Sequence, residues 1–128
     1  MIHDHGYCAH EESVALLMES DVLWMMVGNT RNADTISSAK LYEYFGTRKP
    51  LLVSVPNGAL RKDAERYGAS WITDPDDVEA IALCINEMID AWKKGALPRP
   101  DESVVEQFNR KTLTSQLARQ LALSTRVL

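Results

Sequence analysis

The 128 residues are 45% hydrophobic and 25% charged, with six Gly and five Pro, a balance that folds into one globular domain and excludes disordered, collagenous and coiled-coil chains. Fourteen Lys and Arg stand against 18 Asp and Glu, a formal charge of −4. No basic run exceeds the Lys93–Lys94 pair, so no nucleic-acid partner is expected, because phosphate neutralisation needs clustered cations.

The opening MIHDHGYCAHEES puts acids and imidazoles where a signal peptide carries positive charge and then an apolar run. The most apolar stretch, Val22–Val27, is far shorter than the roughly 20 residues of a membrane-spanning helix. A soluble, cytoplasmic chain is the expectation. Cys8 and Cys84 share no paired spacing and read as reduced thiols.

Ile2–Gly6 is predicted as a short strand, and His10–Ser20, with Val14, Leu17 and Met18 on one face, as an amphipathic helix. Asp21–Val27 is apolar without alternation, the pattern of a strand buried on both faces of a parallel sheet. Thr30–Thr35 is polar and loop-like, and Ser37 or Ser38 caps a helix that runs from Lys40 to Gly46. Leu51–Val55 is a second buried strand, ended by Pro56-Asn57-Gly58. A helix over Ala59–Tyr67 and a third strand over Ala69–Thr73 follow. Asp74-Pro75-Asp76 then caps a helix over Asp77–Lys94, striped by Val78, Ile81, Ala82, Ile85, Met88 and Ile89. Beyond Gly95, Pro98 and Pro100, one last helix within 101–125 is periodic from Glu102 to about Leu123, with Val105, Phe108, Leu113, Leu117 and Leu121 on one side. The alternation implies an α/β, Rossmann-like parallel sheet of three to four strands flanked by helices. Three strands make a thin sheet and suggest a piece of something larger.

Ligands of such sheets gather at the carboxyl ends of the strands, which points to Gly28–Ser38, Pro56–Ala59 and Asp74–Asp77. The first segment delivers backbone N–H groups to a helix N-terminus, an arrangement suited to phosphate. Glu43, farther along that helix, could accept hydrogen bonds from a ribose diol. By spacing alone it reads as a solvent-facing carboxylate.

The run Ser38-Ala-Lys-Leu-Tyr-Glu-Tyr-Phe-Gly-Thr-Arg-Lys-Pro-Leu-Leu-Val53 resembles the K-x-x-E-Y-x-x-x-x-K-P-V-L signature of GT-B glycosyltransferases, especially those of family 4. Gly6–Glu12 and Met18–Val22 are similar to that family's glycine turn, short helix and following strand; Asp74–Ile81 resembles a helix start, and Phe108–Arg110 with Leu113, Leu117 and Ala118 its closing helix. The resemblance implies the carboxyl-terminal, donor-binding part of such an enzyme, with a UDP-sugar or GDP-sugar as donor, no cofactor and no metal. Glu43 matches the second Glu of the family's pattern of Glu, seven residues, Glu, which holds the ribose hydroxyls; the first falls at Thr35, which leaves the donor sugar unspecified. Ser37, Ser38 and Ala39 match the backbone positions that cradle the diphosphate, Lys40 is a signature residue, and Gly6, Cys8 and His10 match the turn beside the base. The implied transfer uses helix N-terminal amides to stabilise the departing diphosphate. The family's acceptor site and its diphosphate-neutralising Arg and Lys have no counterpart here, so this chain alone is not expected to catalyse transfer. The alternatives are a non-catalytic flavodoxin-like module, which would show five strands, and an oligomerising protein-interaction module.

His3, His5, Cys8 and His10 are close in sequence but lack a recognised ligand spacing and read as partly exposed groups beside a turn. Glu11 and Glu12 read as helix-start carboxylates. Trp24, Met25 and Met26 read as core, Trp71 and Trp92 as core or partial core, and Lys93, Lys94, Arg99, Arg110, Lys111, Arg119 and Arg126 as solvated helix surface. In the Rossmann order Asp21–Val27 is left as a long apolar edge, so a homodimer through that edge or the adjacent uncovered face is expected.

Overall fold

The computed structural model describes residues 1–125; Arg126, the last of the basic residues read as helix surface, lies outside them. The elements run α1 (His10–Glu19), β1 (Leu23–Met26), a 3-10 turn (Ala33–Thr35), α2 (Ala39–Thr47), β2 (Leu51–Ser54), α3 (Ala59–Tyr67), β3 (Ser70–Thr73), α4 (Val78–Lys93), α5 (Glu102–Gln107) and α6 (Arg110–Thr125). The three strands form one parallel sheet in the order β1-β2-β3, with Leu23 opposite Leu51 and Leu51 opposite Ser70. This is the expected Rossmann-like α/β sheet with flanking helices and a C-terminal helix; it has three strands among the described residues, not the five of a flavodoxin-like module.

One face of the sheet carries the core. Leu23, Met25, Leu51, Val53 and Val55 pack against Leu41, Tyr44 and Phe45 of α2, Leu60, Ala64 and Tyr67 of α3, and Val105 of α5. Both crossover helices lie on this face, as they do when successive β-α-β units share one hand. Phe45 and Tyr67 stack with centroids 4.3 Å apart and planes 4° from parallel, and the Tyr67 hydroxyl donates to the Lys49 carbonyl at 2.9 Å. The opposite face holds Leu52, Ser54 and Thr73, all buried. There Thr73 Oγ1 and Trp24 Nε1 both donate to Ser54 Oγ, at 3.0 and 3.1 Å, so the polar groups on that face are paired. Its cover is α4, which packs over β2 and β3.

Three sequence expectations change, while Trp71 keeps the partial burial expected of it. Ile2–Gly6 is no strand: Asp4 accepts from the Gly6 N–H at 2.8 Å across a turn with Gly6 at φ 62°, and Ile2 has nothing to pack on. β1 is not buried on both faces; Leu23 and Met25 are buried, whereas Trp24 and Met26 remain 50% and 60% exposed because α4 stops short of this strand. The α4 contact face is also rotated from its apolar stripe, so Met88 is buried and Val78, Ile85, Ile89 and Trp92 (54%) are exposed. Trp71 is half-buried, with its Nε1 donating to Glu87.

The C-terminal helix is likewise divided. Phe108 leaves helical geometry and stacks on Tyr42 at 4.6 Å, and Asn109 Oδ1 accepts from the Lys111 N–H at 2.9 Å to restart the chain as α6. Asn is a favoured helix cap, and Phe108 gains more by burial than by continuing the helix. Val105 and Phe108 therefore join the core, while Leu113, Leu117 and Leu121 stay exposed on α6.

Burial holds the Tyr67 hydroxyl well above the ordinary tyrosine range, with the Arg48 guanidinium opposing it. A group whose folded pKa is raised stabilises the fold fully below its unfolded value, here near 10.0, and loses that contribution as the pH climbs toward the folded value. Tyr67→Phe should cost about 1 kcal/mol at neutral pH. It should also blunt the fall in the urea midpoint above about pH 10 that the parent chain shows.

Candidate functional site

The loops at the carboxyl ends of the strands do converge. Asn29 Nδ2 donates to Asp74 Oδ1 at 3.1 Å and Asp76 Oδ2 at 2.7 Å, joining the loop after β1 to the loop after β3. Gly58 lies so close to the Asp34 backbone that a Cβ built there would sit 2.3 Å from the Asp34 carbonyl oxygen. Glycine is required at that point by contact and not by its extended backbone. The 3-10 turn that holds Thr35 is thus seated directly on the head of α3.

Within this frame Thr35 is engaged locally, its Oγ1 donating to the Asn32 carbonyl at 2.8 Å. Ser37 Oγ lies 3.3 Å from Tyr42 Oη, whose proton goes to Asp63 Oδ2 at 3.0 Å. Burial pushes the Tyr42 hydroxyl up, as does Asp63, while the Ser37 contact pulls it down. Ser37 therefore ties the loop to α2 and α3. Ser38 occupies the N-cap position of α2, but its hydroxyl makes no capping bond and its carbonyl accepts from the Leu41 N–H at 3.1 Å. Ala39 and Lys40 are the first residues of the helix, and no acceptor for their N–H groups is found among the described residues.

Glu43 projects one turn beyond Ala39, into a cleft on the outer side of the helix layer rather than above the strand ends. The cleft has two adjoining parts. One, of about 290 Å³, lies between α1 and α2, with Val14, Leu17 and Met18 as an apolar wall and Glu43, Thr47, His10 and Arg110 as its polar groups. The other, of about 500 Å³, is lined by Ala39, Tyr42, Glu43, Phe108, Arg110 and Leu113. Glu43 and Arg110 belong to both. Volumes in this range suit a small ligand. The Glu43 carboxylate and burial together push the neighbouring Tyr44 hydroxyl up, burial being the larger cause.

Of the nine residues singled out in the sequence, the structure places Ala39, Glu43 and His10 along this cleft and Ser37, Ser38 and Lys40 at the adjoining start of α2. Gly6 and Cys8 line neither part; Cys8 Sγ faces the carbonyls of His5 and Gly6 within its own turn. In the sequence Arg110 reads as helix surface, and Val14, Leu17 and Met18 as one face of an amphipathic helix. The signal for Arg110 was Asn109, a cap residue inside an apparently continuous helix, which sets Arg110 at the head of α6. Arg110 makes none of the ion pairs found among the described residues.

A second hollow, of about 480 Å³, holds Arg48, Lys49 and Arg99 at the amino ends of β1 and β2. Its Arg48 is already paired with Glu102 at 3.0 Å and Glu106 at 3.4 Å, which withdraws that cation from a ligand. No group of His, Cys, Asp and Glu among the described residues is arranged to hold a metal ion, and no helix there is long and apolar enough to cross a membrane.

No family model, curated protein or solved structure matches the chain.

Gly58→Ala should displace the turn over Ala33–Thr35 and cost about 1–3 kcal/mol, because the added methyl meets backbone that cannot swing aside. Chemical denaturation, with amide NMR shifts concentrated in residues 32–38, checks both effects.

Proposed function

We propose that this chain binds the nucleoside diphosphate of an activated sugar and acts as the donor-binding part of a glycosyltransferase. The observation that carries this reading is the position of Glu43: it sits one turn from the free N–H groups of Ala39 and Lys40, in a cleft it shares with Arg110 and with the apolar wall of α1. These are the chemical features that a nucleotide needs. A flat, apolar base gains by burial against Val14, Leu17 and Met18. A ribose diol donates two hydrogen bonds to one carboxylate, here Glu43. A diphosphate finds helix N–H groups with the positive end of a helix dipole, supplemented by the Arg110 guanidinium.

The residues of this chain then bind and orient a donor and stabilise charge on the departing diphosphate; none is assigned as a covalent nucleophile. Acceptor binding and the remaining catalytic groups are assigned to a protein region other than this chain, so transfer by this chain alone is not expected. With Thr35 occupying its own turn, contact with the sugar falls to other groups, and both UDP-sugars and GDP-sugars remain within the proposal.

Calorimetric titration with UDP, GDP and ADP should show saturable binding of one of them. Glu43→Ala should weaken it by about 1–3 kcal/mol through loss of the diol contact. Arg110→Ala should weaken the diphosphate but change the affinity for the parent nucleoside little, and it should reduce the salt dependence. Absence of binding by all three nucleotides, or equal binding by the Glu43→Ala chain, rejects the reading.

A further inference from the structure

The side of the sheet away from the cleft poses a separate question. β1 is an edge strand, and its segment Val22-Leu-Trp-Met-Met-Val27 contains no charge, proline or bulge, the usual devices that keep an edge from pairing. Leu23 and Val27 donate their N–H groups inward, to the Pro50 and Ser54 carbonyls at 3.0 Å each. Alternation along a strand therefore turns the N–H and C=O of Trp24 and Met26 to the open edge. The same two residues carry the exposed side chains of β1. At the amino end of the strand, a hollow of about 220 Å³ lies between Asp21 and Val22 on one side and Ile85 (37% exposed), Met88, Ile89 (43%) and Trp92 of α4 on the other.

We infer that two copies of this chain pair through β1, antiparallel and in register about Met25, to make a six-stranded sheet. The parity of the strand permits this self-pairing. A two-fold axis at Met25 sets Trp24 of each copy opposite Met26 of the other, and both residues direct their backbone groups outward, so each pair exchanges two hydrogen bonds. All four side chains then meet on one face, where thioether and indole make favourable contacts. The hydrogen bond to Ser54 of β2 fixes the Trp24 indole before the copies meet, while half of its surface stays exposed. The α4 helices of the two copies flank that cluster and close over it with Ile85, Ile89 and Trp92. The exposed area of Trp24, Met26, Ile85, Ile89 and Trp92 is on the order of 600 Å² per copy, most of the roughly 800 Å² per partner of a stable interface.

The test is sedimentation velocity of the full chain across about 1–100 μM. The parent should sediment as a dimer over most of that range. Met26→Pro removes an N–H that β2 does not use, so the fold should persist by circular dichroism while the dimer constant weakens about 100-fold. Trp24→Glu should do the same by placing a charge in the cluster. Leu117→Glu, on the exposed face of α6, should remain dimeric. A monomer throughout overturns the inference and leaves the edge to an unlike partner. A dimer that survives both Met26→Pro and Trp24→Glu also overturns it, by moving the interface elsewhere. Neither outcome bears on nucleotide binding, because the interface and the cleft share no residue.

Discussion

Tyr67 is the point at which four elements meet. Its ring stacks on Phe45 of α2, its hydroxyl reaches the Lys49 carbonyl just before β2, and its own carbonyl accepts from the Asp101 N–H at 3.0 Å, at the head of α5. A ring this size at the end of α3, fully buried, sets the distance between α2 and α3 and hence the pitch of both crossovers over the sheet. Asp101 in turn caps α5 by accepting from the Ser103 N–H and hydroxyl, contacts that hold its carboxyl below the usual carboxylate range. The return of the chain onto the core through Val105 and Phe108 therefore depends on the same residue that aligns the helices. Phe108 then fixes where α6 begins and, with it, where Arg110 stands.

The two faces of the sheet differ in kind. The face under α2 and α3 is closed by aromatic stacking and aliphatic packing, and its outer side provides a cleft with a carboxylate, a guanidinium and an apolar wall. The other face is closed only where α4 lies, over β2 and β3. Parallel strands are ordinarily covered on both faces because their backbone and side chains leave no amphipathic alternative. β2, with neighbours on both edges, meets that condition; β1 meets it on one face and one edge only. The unsatisfied side of β1 is consequently apolar and hydrogen-bonding at once, which is the combination that strand pairing requires.

Glu43 shows how chemistry at this site depends on more than residue type. As a carboxylate on an exposed helix face it differs little from Glu12 or Glu65. What distinguishes it is the company supplied by other elements: α1 is brought alongside by the packing of Leu17 on the core, and the helix break at Phe108 and Asn109 turns Arg110 toward the same space. Ser37 carries a structural contact as well, since the residue whose backbone matches a diphosphate position also uses its hydroxyl to brace Tyr42 against Asp63.

The sequence by itself determined the α/β class, the three parallel strands, and the helices between them to within a few residues, because strand and helix periodicities, glycine and proline breaks and Asp caps act locally along the chain. It also marked the head of α2 and Glu43 as a place to look for a ligand, through residue types that favour anions and diols. Only the tertiary structure decided which apolar residues are covered. Trp24 and Ile89 read as core because hydrophobicity records what a side chain prefers, whereas burial requires a neighbouring element that here does not extend over β1. The same limit applies to the helix break at Phe108: the local periodicity of residues 102–123 is helical throughout, and the break follows from a stacking partner, Tyr42, more than sixty residues earlier in the chain. The cleft around Glu43 and Arg110 exists because that long-range contact outweighed the local preference.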